Sequence, residues 1–361
     1  MDPGWKIIPV LNKKDCEEIS QSIQEDILNT TFGLTGEMKN AKKCPNIWQL
    51  FTDPKLREEY LDNSKCIWQN NFSQKPLVSK SCGMTNIYHN PLVREKILFN
   101  PDIINSITEE YEKKLDEKEE IIYAKGPERV SIKPKGSTNM DRHIDDNFQE
   151  HELRIQGFVT LQMNKSKQGN MSAVGSIEIL SNFNWYFDAY SLFIENNPEH
   201  ESETFNSEKN PIILDKTFQN SIEPFNEWLQ EKFYSDTIKR KYYNFLKEHP
   251  LPEDFQKIVW EFPPLKNGDL FIWDSRCPHR NTKNKSDVSR IVAYVSLYPI
   301  STWEKMGKPN ILNMFLGKEK SLNGEKNRDN REEKEFYKDD WKQRVSIDKT
   351  DPLIQKLLNL K

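Results

Sequence analysis

The sequence predicts a mainly β protein with flanking helices, an α+β fold in one domain, and three observations predict it. Before about residue 120 apolar residues recur at helical spacing. From residue 121 the period shortens toward two, with turns at Gly126-Pro127 and at Pro134-Lys135-Gly136. Helical spacing returns between about 182 and 258, after which strand patterning resumes as far as Pro299. The expected organisation is one domain over 1–361. It has mostly helical support over 1–120, a β core over 121–300 interrupted by a helical insertion at about 182–258, and a charged extension over 301–361.

In chain order, residues 5–10 read as a short strand feeding a helix. Asp15 is its expected N-cap, and Ile19, Ile23 and Ile27 are its buried stripe. Residues 53–62 and 91–116 read as helices; Pro91 suits a first turn and Ile97, Ile104 and Ile107 form a core stripe. Residues 153–163, LRIQGFVTLQM, alternate. Ile155, Gly157, Val159, Leu161 and Met163 fall on one face, and Gln156, Phe158, Thr160 and Gln162 on the other. A strand with so polar a second face suits the hydrated inside of a barrel. Residues 176–180, 260–262, 270–273 and 290–299 are further strands, and 221–234 and 237–247 are helices of the insertion. No internal repeat is present.

Composition narrows the function classes. A net charge of -4 offers no electrostatic case for nucleic acid or a membrane surface. Nine Trp, twelve Tyr and nineteen Phe argue against a disordered chain. Five scattered cysteines without a C-x-x-C pair suggest reduced thiols. The opening MDPGWKIIPVLNKKDCEE lacks a basic-then-apolar signal, and no stretch has the roughly 18 apolar residues of a membrane helix. The expectation is a soluble cytoplasmic protein.

The chemistry concentrates in two segments. His143-Ile144-Asp145 places a histidine and a carboxylate two residues apart, so extended backbone projects both to one side. Alone the triplet is within reach of chance. A Gly268-Asp269 turn then leads through an apolar strand to His279, and Arg290 opens the next strand. Two histidines and one carboxylate form the facial triad of a non-haem iron(II) site, which leaves positions open for oxygen chemistry. Catalytic zinc with a bound water is the competing metal, but Arg290 would then lack a role. An arginine fork matches a carboxylate and stays charged when buried. His151, the one competing ligand, is expected to stand behind the ligands or to be structural, and His89, His200 and His249 to be ordinary loop or insertion histidines.

The order HIDD, then GDLFIWDSRCPHRN, then a strand opened by Arg290, resembles the iron(II)/2-oxoglutarate-dependent oxygenases, and among them the phytanoyl-CoA dioxygenase-like branch. The likeness spans about residues 120–300. It implies a double-stranded β-helix (jelly roll, cupin-like) with helices around it. It implies Fe(II) held by His143, Asp145 and His279, with 2-oxoglutarate anchored by Arg290 and O2 as second co-substrate. Asn281 and Thr160 fall near positions where relatives contact the co-substrate, although this chain departs from the usual residue types at both. Halogenating relatives lack the carboxylate ligand, so Asp145 favours hydroxylation.

On this reading the chain is a 2-oxoglutarate-dependent dioxygenase that hydroxylates a C–H bond of a small molecule and releases succinate and CO2. Arg276 is a candidate for an anionic substrate group or a structural ion pair. The insertion, with Trp185, Tyr186 and Phe187, is either a lid or a surface excursion. Alternatives are a hydroxylase of a protein side chain, a zinc hydrolase, and a jelly-roll scaffold without turnover, for which the charged tail could serve a partner.

Overall fold

The computed structural model describes residues 3–29, 83–85, 90–115, 123–125, 129–133, 135–145, 153–164, 171–202 and 212–299. The helix expected over 53–62, His89, His151 and the extension after 300 lie outside them.

The strands are β1 (Trp5–Pro9), β2 (Gly83–Thr85), β3 (Tyr123–Lys125), β4 (Arg129–Lys133), β5 (His143–Ile144) and β6 (Ile155–Gln162). They continue with β7 (Ile177–Ser181), β8 (Ile212–Ile213), β9 (Val259–Glu261), β10 (Asp269–Asp274), β11 (His279–Asn281) and β12 (Arg290–Pro299). One sheet runs β1-β10-β6-β12-β4-β2 with β3 on β12, and the other runs β8-β5-β11-β7-β9. Every pairing is antiparallel. From β4 to β7 the chain passes to the opposite sheet at each step. β9 stays beside β7, and β10, β11 and β12 alternate again. That hand-over is the double-stranded β-helix, so the strand order itself establishes the jelly roll.

Each face of the large sheet follows from the period-two pattern. On the outer face Val130, Ile132, Ile155, Val159, Leu161, Leu270, Ile272, Ile291, Ala293 and Val295 meet Ile19 and Ile23 of α1 (Lys13–Asn29) and Ile103, Ile104, Ile107 and Tyr111 of α2 (Pro101–Leu115). Burying each aliphatic side chain there stabilises the fold by about 1.5–3 kcal/mol. The roll's interior is lined by Phe158, Phe271, Trp273 and Val292 from the large sheet and by Ile177 and Ile179 from the small one.

Behind the small sheet, Ile144 and Leu180 pack against helical chain that includes α3 (Phe187–Asn196) and α4 (Lys216–Trp228). Tyr186 and Phe187 are buried in that cluster. Those two rings belong to the insertion's own core.

Several sequence expectations need correction. Asn12, not Asp15, caps α1, because the Asn12 side-chain oxygen accepts the Asp15 N–H at 3.0 Å. Residues 91–116 are not one helix. A helical turn (Pro91–Val93) and a π-turn (Arg94–Leu98) stop at Asn100, whose side chain caps the Asp102 N–H at 2.9 Å, and Pro101 begins α2. Proline lacks the N–H needed to continue a helix but suits the first position of a new one. The helix expected at 221–234 starts earlier, at Lys216, where Asp215 accepts the Phe218 N–H at 2.8 Å. The helix expected at 237–247 divides into Asp236–Lys241 and Tyr243–Glu248.

At the Asn267-Gly268-Asp269 turn, Gly268 has φ 93° and a Cβ there would lie 2.1 Å from the Leu11 carbonyl oxygen. The Gly268 carbonyl in turn accepts the Val10 and Leu11 N–H groups at 2.9 and 3.0 Å, which ties β1 to the start of β10. Only glycine meets both demands. No helix among the described residues is long and apolar enough to cross a membrane.

Candidate metal centre

The two histidines meet because their strands pair: His143 on β5 is the register partner of His279 on β11. Their rings lie 4.5 Å apart between centroids, inclined by 56°. Asp145 follows β5 by one residue and projects to the same side as His143. Its carboxylate oxygens lie 3.9 Å from His143 Nε2 and 3.7 Å from His279 Nε2. One ligand atom from each residue falls within 4.8 Å of the others, so one metal ion fits among them.

The protonation pattern suits that role. His143 Nδ1 lies 2.8 Å from the Asp141 carbonyl oxygen and His279 Nδ1 lies 3.1 Å from that of Cys277. A carbonyl only accepts, so each Nδ1 carries the proton and each Nε2 lone pair faces the carboxylate. Burial, then the neighbouring His143, bring the His279 imidazole down to about 4 against the opposing pull of Asp145. Burial works against ionisation of Asp145, but His279, His143, the Gln156 amide and Arg154 outweigh it and hold the carboxyl below its ordinary value. Neutral imidazoles and an ionised carboxylate are the ligand forms a divalent metal takes.

Support around the triad comes from β6 and its approach. Gln156 Nε2 donates to Asp145 Oδ2 at 2.9 Å, and Arg154 donates to the Asp145 carbonyl at 2.8 Å. Gln156 was visible in the sequence only as a polar residue on the inward face of an alternating strand. Its hold on the carboxylate needed the fold.

Deeper in the roll, Arg290 is 1 % exposed and its guanidinium carbon stands 5.0 Å from the centre of the Phe158 ring. Its register partner, Lys133 on β4, is fully buried as well and donates to the Asn281 carbonyl at 3.3 Å. Sequence reasoning passed over Lys133, although Ser131 and Lys133 alternate with the outward Val130 and Ile132. Thr160 and Asn281 are buried here too. Among the described residues the Thr160 hydroxyl and the Asn281 side-chain oxygen have no hydrogen-bond partner, while the Asn281 amide nitrogen meets the Tyr294 hydroxyl at 3.4 Å. Unmatched polar atoms in an interior are costly and suit a site that receives a polar ligand.

Of the two expectations for Arg276, an anionic substrate group or a structural ion pair, the structure shows the ion pair. Its Nε and terminal nitrogen donate to Asp274 at 2.9 and 2.7 Å, and Lys114 of α2 bonds the same carboxylate at 3.0 Å. Asp274 shares the helix-facing side of β10 with Ile272, so its pairing draws Arg276 into a structural ion cluster. The two histidines of the insertion are accounted for locally. His249 bonds Asp188 at 2.9 Å, and His200 stacks on Phe193 at 5.4 Å.

No family model matches the chain, and no curated protein does. Solved structures similar to it include the non-haem α-ketoglutarate-dependent carbocyclase SnoK from nogalamycin biosynthesis, at 10 % identity, 82 % of this chain, 79 % of that chain and TM-score 0.36. EctD from S. alaskensis matches at 9 % identity, with 83 % and 74 % of the two chains and TM-score 0.38. HygX from Streptomyces hygroscopicus, solved with nickel, 2-oxoglutarate and hygromycin B, matches at 10 % identity, with 82 % and 84 % of the chains and TM-score 0.38. Likeness of that extent carries no weight beside the strand order and the site's own side chains. The narrower resemblance to phytanoyl-CoA dioxygenase-like enzymes has no family model to support it.

Proposed function

We propose that the chain is an iron(II)- and 2-oxoglutarate-dependent dioxygenase that hydroxylates a C–H bond of a small molecule. The observation that carries the reading is the convergence of His143 Nε2, His279 Nε2 and the Asp145 carboxylate in the mouth of a jelly roll whose interior also holds Arg290. His143, Asp145 and His279 would hold the metal. Iron(II) with 2-oxoglutarate supplies the oxidising power, by which one O2 is consumed and one oxygen enters the substrate while the other leaves in succinate beside CO2.

The protein's part is binding, orientation and dryness. Arg290 supplies a fixed charge and a planar fork for the distal carboxylate of 2-oxoglutarate. The Thr160 hydroxyl and the Asn281 side chain are placed to complete its hydrogen bonds. Gln156 and Arg154 fix the carboxylate ligand, the support that keeps a metal site from loosening. Aromatic rings at Phe158, Phe271 and Trp273 exclude water around it.

The test is anaerobic titration of the purified chain with iron(II) and 2-oxoglutarate, followed by succinate analysis after oxygen is admitted. A visible absorption band that requires both additions, and succinate that requires oxygen, are expected. Binding of zinc with oxygen-independent turnover, or no band in the wild-type chain, would sink the reading.

A further inference from the structure

Two interior atoms beside the triad remain outside that account. Trp273 is 3 % exposed, and its indole Nε1 has no hydrogen-bond acceptor among the described residues. The Gln156 Oε1 atom is likewise buried, with no donor among the described residues. The two residues are register partners on β10 and β6 and share the inward face, so their side chains are neighbours. Each also touches the triad: the Gln156 amide nitrogen bonds Asp145 Oδ2 at 2.9 Å, and the Trp273 ring stands edge-on to His279 at 5.1 Å. That bond to a carboxylate, which only accepts, fixes which end of the Gln156 amide is the oxygen. The next indole along the row makes the contrast. Trp5, register partner of Trp273, donates its Nε1–H to the Ser181 hydroxyl at 2.8 Å.

We propose that Trp273 Nε1–H and Gln156 Oε1 form a substrate subsite on the Asp145–His279 side of the triad, taking a neutral group that both accepts and donates. An alcohol hydroxyl or a primary carboxamide answers both atoms. A carboxylate would face Gln156 Oε1 and Asp145 with no proton to offer either, and an ammonium would leave the indole N–H unmatched. A site built to bond such a group discriminates strongly against analogues that lack it. The subsite rests on the oxygenase reading for its place beside the oxidised C–H bond.

The test uses the full-length chain with 15N-labelled indoles, loaded with zinc and 2-oxoglutarate and titrated with isobutyramide, isobutanol and isobutyrate. The Trp273 signal is identified by its loss in Trp273→Phe. It is identified independently by the strongest broadening when manganese replaces zinc, so the wild-type titration decides even if the variant does not fold. A saturable shift with the amide and the alcohol but not with isobutyrate is expected, with isobutyramide binding about tenfold weaker in Trp273→Phe. No shift with either neutral probe, or an equal shift with isobutyrate, overturns the subsite. The iron and 2-oxoglutarate band is read on the same preparation. A band without the indole shift overturns only the subsite, and the shift without a band overturns only the oxygenase reading.

Discussion

The two faces of the large sheet are separated by one residue along every strand, yet they obey different rules. The outward face is aliphatic, is covered by α1 and α2, and carries Ile272 at 2 % exposure. The inward face buries Lys133, Thr160, Trp273 and Arg290 and half-buries Gln156, and Gln156, Thr160 and Trp273 hold polar atoms with no bonding partner among the described residues. Hydrophobic burial dominates the first face, with the Asp274 ion cluster as its exception. The second gives up some of that stability to keep polar atoms dry and available, which a packed core would not tolerate without a function.

Substitutions on opposite faces should therefore separate chemistry from stability. The largest expected effect is His279→Ala, which removes a ligand from the inward side. Iron binding and turnover should fall by more than about a thousandfold, a loss of about 4 kcal/mol, with the unfolding midpoint within a few degrees of wild type. Metal analysis beside a thermal melt checks it, and retained iron-dependent turnover would contradict the assignment. One residue before Trp273 on the other face, Ile272→Ala should do the reverse. It should cost about 2–5 kcal/mol in urea unfolding while turnover per folded molecule stays near wild type. Arg290→Gln comes next: 2-oxoglutarate affinity should drop about ten- to a hundredfold, as expected for losing a charge-assisted pair. Iron affinity without co-substrate should hardly change. Titration at the visible band separates the two, and an unchanged 2-oxoglutarate affinity would move the anchor elsewhere, Lys133 being the nearest buried cation.

The strands of the roll were legible because their signals are local: residues 153–163 announced their faces by period-two alternation, whereas 270–273 and 290–299 read as strands from apolar runs that do not tell one face from the other. The triad was legible as a spacing, since His143 and Asp145 need only extended backbone to share a side. What the sequence could not show is anything decided by partners distant along the chain. Arg276 and Arg290 look alike as letters. A carboxylate two residues away and a lysine from α2 engage the first in an ion cluster, and the second goes inward over Phe158. Capping was misassigned for a related reason. Asn12 and Asp15 are both good caps, and the choice depends on where the chain leaves β1, which the Gly268 turn sets. Gln156 and Trp273 gained meaning only when β6 and β10 were paired.

The smallest expected effect tests the ion cluster that the outward face does tolerate. Asp274 is fully buried, and burial alone would raise its pKa; Arg276 and Lys114 overcome that and hold it well below the ordinary value of 3.8. A carboxyl depressed in the folded chain binds its proton more readily once unfolded, so its contribution is complete above about 3.8 and is lost as pH falls below that value. One such group steepens the acid limb of the stability curve by at most about 1.4 kcal/mol per pH unit. Asp274→Asn should be less stable than wild type at neutral pH, because two cations lose their partner. Its stability should also fall less steeply between about pH 4 and 2. Urea unfolding across that range checks both, and parallel acid limbs in the two proteins would show that Asp274 is not what couples this face to pH.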